Sequence, residues 1–148
     1  MWGNFKSLAL SIILTRLFIA AIILLIFFLP YLAGQYIKAS GIASGFFYDL
    51  IVPIYICMIP AGIALICLDR MLSRIKKDET FTQSNIASIR IISWCCFIVS
   101  IISGVAAFFY IPFVFIMMIM LFCGIIVRVI KNVFSRAVFI KNENDYTI

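Results

Sequence analysis

From Ile91 to Val127 the chain runs for 37 residues without one charged side chain. A single membrane crossing uses only about 20 apolar residues at 1.5 Å of rise each, so the stretch is too long for one upright span and suits two joined tightly. Tyr110-Ile111-Pro112 marks the turn, because the residue before a proline disfavours helix while proline suits a first helical position. Two spans over about residues 88–110 and 112–130 follow from this spacing.

Two more spans precede them. The first covers about residues 12–32, an uncharged run after Arg16 that is long enough to cross the hydrocarbon. A cleaved signal peptide is its rival, since Lys6 and Arg16 precede an apolar core. Leu32-Ala33-Gly34-Gln35 makes a poor small-x-small cleavage site and three spans follow, so a retained span is expected. Residues 33–49 are read as a loop: Gly34, Gly41 and Gly45, interleaved with Ser40 and Ser44, lower helix propensity. Its aromatics Tyr36, Phe46, Phe47 and Tyr48 belong at headgroup level. The second span covers about residues 50–68 and contains Pro53 and Pro60, which remove backbone donors and predict a kinked helix. The carbonyls so freed need partners inside the protein, and Tyr55 is the candidate donor.

Composition agrees, with 66% of residues hydrophobic and 12% charged, against roughly half and a quarter in soluble domains. A globular chain of this size needs a charged shell to stay dissolved. The fold class expected is an all-α integral membrane protein, a four-transmembrane-helix bundle forming one domain over residues 1–148.

The net charge of +6 could suggest nucleic acid, but the cations cluster at the ends of apolar runs, as topology signals do. No direct nucleic-acid contact is expected. Lys6, Arg16, Arg70, Arg74, Lys76, Lys77, Arg90, Arg128, Lys131, Arg136 and Lys141 fall on one side and Lys38 on the other. This bias places both termini and the middle loop, about residues 69–87, on the cytoplasmic side of the membrane.

Within that loop Leu68, Met71, Leu72 and Ile75 keep helical spacing, so the second helix should extend into the cytoplasm as an amphipathic stalk. Asp78 to Phe81 should form the turn, with Thr82 as N-cap of the third helix and Phe81 and Ile86 at the staple positions. Ser100 and Gly104 form a small-x-x-x-small pair that hints at close helix contact. Beyond the fourth span, over residues 131–148, Ile130, Phe134, Ala137 and Val138 share one face and Lys131 and Ser135 another. Such a basic amphipathic segment is expected along anionic lipid.

Chemistry-bearing residues are scarce. Histidine is absent, and no Ser, Cys or carboxylate has a recognisable base beside it. Cys57, Cys67, Cys95, Cys96 and Cys123 lie in apolar runs without C-x-x-C spacing and read as packing residues. Arg16, Asp69 and Arg128 sit within snorkelling reach of the inner boundary and Asp49 at the outer one, leaving no ionisable group deep in a span. No enzyme, catalytic residue, cofactor or metal site is expected.

Leu68-Asp-Arg-Met-Leu-Ser-Arg-Ile-Lys-Lys-Asp-Glu-Thr-Phe-Thr82, Ile89-Arg-Ile-Ile-Ser-Trp94 and the ending Glu143-Asn-Asp-Tyr-Thr-Ile148 resemble the YoaS-type family of small bacterial four-span membrane proteins, known mainly as a domain of unknown function. In many of those relatives a glycine stands in the turn before the Phe-Thr pair, a region held here by Lys77 or Asp78. The resemblance implies a small helix-turn-helix regulator as partner, such regulators being typically encoded beside these proteins. The expected docking residues are Phe81 and Thr82 of the middle loop with Glu143, Asn144, Asp145, Tyr146, Thr147 and Ile148. There the two carboxylates add negative charge to a basic face, and Tyr146 and Ile148 offer apolar anchors. Alternatives are an immunity or efflux role against a membrane-active compound and a structural subunit that needs partner spans. The lipid bilayer is the other expected partner, and a homo-oligomer stays open.

Overall fold

A computed structural model describes residues 2–41 and 45–147, with side chains from residue 6 onward. Ser44 and Ile148 lie outside the described residues. Four helices make up the described chain: α1 (Trp2–Ser40), α2 (Phe46–Ile75), α3 (Gln83–Ala106) and α4 (Phe113–Tyr146). Each is long and apolar enough to cross a bilayer, with a mean hydropathy of 2.0 or more over its most apolar stretch.

The distribution of side chains is the reverse of a soluble protein's. α3 buries ten residues, and Asn85, Ser88, Ser93, Ser100 and Ser103 make up half of them. Phe27, Phe108, Phe115 and Ile101 meanwhile stand more than two-thirds exposed. Large apolar side chains outside and hydroxyls inside suit a hydrocarbon solvent, where buried polar groups serve as glue between helices. The chain is a multi-pass membrane protein.

α1 packs on α2, α2 on α3 and α3 on α4, and no other pair of helices comes into backbone contact among the described residues. The expected bundle is thus an open row in chain order, whereas a closed four-helix bundle also brings its first helix against its last. The order of contacts sorts the two ends of the row. Arg16–Asp69, Arg74–Ser88 and Phe81–Phe134 meet at one end; the hydroxyls of Tyr36 and Tyr110 share a hydrogen bond at the other.

α3 and α4 run antiparallel in a fixed register. Ser93 donates to the Gly124 carbonyl at 3.0 Å and Ser100 to the Met117 carbonyl at 3.0 Å, so two hydroxyls seven residues apart meet two carbonyls seven residues apart. Seven residues return a helix nearly to the same face. Glycines allow the backbones this close: a Cβ on Gly104 would stand 3.1 Å from the Met117 sulfur, and one on Gly124 3.3 Å from the Cys96 Cβ. The Ser100–Gly104 pair does mark close contact, as its spacing predicts, while Ser93 and Gly124 were not singled out in the sequence.

Several boundaries differ from expectation. α1 continues through Gly34 to Ser40, so residues 33–40 are helix rather than loop, and Gly41 ends it with φ +64°. Pro30, Pro53 and Pro60 all lie inside helices. Tyr55 does supply a proline-freed carbonyl, but not one on its own helix: its hydroxyl donates at 2.8 Å to Ile26 O of α1. Ile26 is four residues before Pro30, which has no N–H to give it.

α2 ends in a Schellman motif: Glu79 N–H reaches Arg74 O at 3.2 Å and Asp78 N–H reaches Ile75 O at 3.1 Å. Asp78 holds the left-handed position at φ +63°. Glycine is the usual residue there, and aspartate is among the few others that tolerate it.

Candidate functional site

The docking residues expected from the sequence fall into two groups, built by different elements. The first is the α2–α3 turn. Thr82 does sit at the N-cap of α3, with extended backbone (φ −124°, ψ 152°), but its hydroxyl makes no cap bond and is buried without a partner. Asn85, wholly buried, ties the turn instead through its side-chain amide, which donates at 2.9 Å to both Glu79 O and Thr80 O. The signal for it was Asn three residues after a Thr-Phe-Thr turn, a position where short amides compete for backbone bonds. Arg74 of α2 adds a 3.4 Å hydrogen bond to Ser88 of α3, so the turn is held on both flanks. Phe81 rests its ring 5.7 Å from that of Phe134 in α4.

The second group is the end of α4. Glu143, Asn144, Asp145 and Tyr146 are helical and exposed, and the Thr147 hydroxyl closes the helix by donating to Glu143 O at 2.6 Å. Tyr146 is 91% exposed. These residues continue the helix of the fourth span without a break. The apolar face noted from Ile130 to Val138 is covered in part by the protein itself: Val138 is 4% exposed and Phe134 touches Phe81. From Phe134 to Glu143 is nine residues, roughly 14 Å of helix rise. The structure therefore brings Phe81 to the base of this terminal segment, and the acidic tip stands a helical stretch away from it.

Ionic contacts at the same end were not read as pairs in the sequence. Arg16 Nε donates to Asp69 Oδ1 at 3.2 Å, linking α1 to α2, with Arg16 66% and Asp69 25% exposed. Each sits near the same boundary in the sequence, and the register that joins them is a tertiary fact. All five cysteines are free, with Cys95 buried and the others half-buried.

A family model described as a protein of unknown function, DUF2975, matches residues 31–148. That match agrees with the resemblance to YoaS-type uncharacterised proteins. No curated protein and no solved structure is matched.

Proposed function

Since the chain belongs to the DUF2975 family, whose description assigns no activity, we propose from its surfaces that it is a non-enzymatic regulatory protein of the bacterial cytoplasmic membrane. It holds a small helix-turn-helix transcription regulator at its inner face. The eleven cations gathered toward one end of the row support an orientation with both termini and the α2–α3 turn in the cytoplasm.

The observation that carries this reading is the course of α4. It remains one helix as far as Tyr146, about 24 Å past Ile130, is exposed from Phe139 onward, and ends on Glu143, Asp145 and a bare Tyr146. An acidic, aromatic tip on a helix of cationic origin complements the basic face of a DNA-binding module, whose charge steers the encounter. A regulator held there has its DNA-binding charge engaged, so membrane capture and DNA binding compete.

The test is co-purification of the regulator from detergent extracts with an affinity tag between α1 and α2. Deleting residues 143–148 touches no span, so membrane levels stay normal while the regulator is lost. Glu143→Lys with Asp145→Lys gives the same loss. Undiminished co-purification after both changes removes the α4 tip as the docking site.

A further inference from the structure

We propose that the cleft between α3 and α4 bounded by Arg90, Ser93, Trp94, Arg128 and Lys131 binds the phosphate of an anionic lipid headgroup. These five residues line a recess of about 100 Å³. That is several times the roughly 10–15 Å³ that admits one water, so a phosphate-sized group has room.

The charges there are unbalanced. Three cations and no carboxylate line the recess. None of the three takes part in an ion pair or side-chain hydrogen bond among the described residues; Arg16 and Arg74 are the arginines so engaged. The backbone register sets their helix positions side by side. The Ser93–Gly124 bond pins the two helices one turn inside the cleft. Arg90 stands three residues before Ser93 and Arg128 four after Gly124, which puts them at the same level of an antiparallel pair. Like charges facing across helices repel, and an anion between them turns that repulsion into attraction.

Arg90 and Arg128 are exposed and Lys131 half-exposed, so all three are open to a ligand from outside. Two guanidinium forks and an ammonium are the donor set that grips phosphate oxygens. The cleft also lies at the right depth. Arg90 and Arg128 are the charges that bound the long uncharged stretch, and Trp94, 57% exposed, is the residue type that settles at headgroup level. Lipid phosphates are concentrated at that depth, which favours them over phosphate free in solution. Basic pockets between spans are a known mode of anionic headgroup recognition.

The experiment uses the full chain carrying Trp2→Phe, which leaves Trp94 as the sole tryptophan. It is reconstituted in phosphatidylcholine vesicles with a minor fraction of brominated phosphatidylglycerol or brominated phosphatidylcholine. Trp94 fluorescence should be quenched more by the brominated anionic lipid. Arg90→Gln and Arg128→Gln should each lower that preference about fivefold, the factor equivalent to one cation's share of headgroup attraction. Arg136→Gln with Lys141→Gln, further along α4, should leave it unchanged. Equal quenching by the two lipids in the Trp2→Phe protein overturns the site without recourse to any charge variant. Equal losses from the Arg136 and Lys141 changes overturn it too, as diffuse surface attraction. Abolition of the preference by millimolar inorganic phosphate, but not by chloride at the same ionic strength, overturns the lipid as occupant in favour of free phosphate.

Discussion

The two halves of the row are held in different ways. α3 and α4 approach closely: Ser93 and Ser100 bond to main-chain carbonyls, and a Cβ at Gly104 or Gly124 would have to displace a neighbouring side chain. α1 and α2 also pack on one another, but the polar contacts between them come from the tips of long side chains, Tyr55 on Ile26 O and Arg16 on Asp69. Their glycines tell the same story, since a Cβ at Gly34 or Gly62 would meet nothing within 4 Å. In lipid, apolar helices gain no hydrophobic drive to associate, so close approach depends on small residues. Between α1 and α2 polar contacts at fixed points add to the packing, and proline is tolerated nearby because a neighbouring helix satisfies the carbonyl it frees.

This contrast is open to direct attack by reversible unfolding in mixed micelles. The largest effect should come from opposite outcomes at two glycines. Gly124→Val pushes a branched side chain into Phe97 and Cys96 and should cost about 1–3 kcal/mol. Gly62→Ala, placed in open space within α2, should instead gain about 0.5–1 kcal/mol from helix propensity. Equal responses at the two sites would abolish the distinction between the halves.

Next in size is Tyr55→Phe, which bares the Ile26 carbonyl and should cost about 1 kcal/mol, within the range for interhelical hydrogen bonds in membranes. Adding Pro30→Ala to Tyr55→Phe restores an N–H for that carbonyl. The loss should then shrink, and a loss that persists undiminished would show that Tyr55 acts by packing. Ser93→Ala and Ser100→Ala should each cost about 0.6 kcal/mol. Being two turns apart, they should add. The smallest effect is expected from Asp69→Asn, about 0.5 kcal/mol or less, because Arg16 is two-thirds exposed and the strength of such a pair falls with salt.

The number of spans, the position of the α3–α4 turn and the Ser100–Gly104 contact were legible in the sequence because each rests on length, proline or spacing along one segment. The helix ends were harder. Residues 33–40 hold only Gly34 and Ser40 and read as loop only when grouped with the Gly- and Ser-rich stretch that follows, whereas helical geometry carries on to Gly41, where a left-handed residue stops it. Thr82 was found as the N-cap, while the buried Asn85 that ties the turn was not, since which of two short polar residues turns inward is decided by packing. Of the candidate docking residues, Phe81 and the α4 tip were each visible, but the ring contact with Phe134 that separates them along α4 depends on tertiary register. The same holds for Arg90, Arg128 and Lys131, which are distant in sequence and read singly as topology signals. Only an antiparallel register makes them one cleft.

α4 has a mechanical consequence. Its 34 residues contain no proline, unlike α1 and α2, and they amount to a rod of about 51 Å. The hydrocarbon core accounts for about 30 Å of such a length. Inclination of the span and displacement of its protruding end are then one rigid motion of the helix. A 10° change in inclination about the midpoint carries Tyr146 through an arc of about 4 Å, more than the reach of a hydrogen bond.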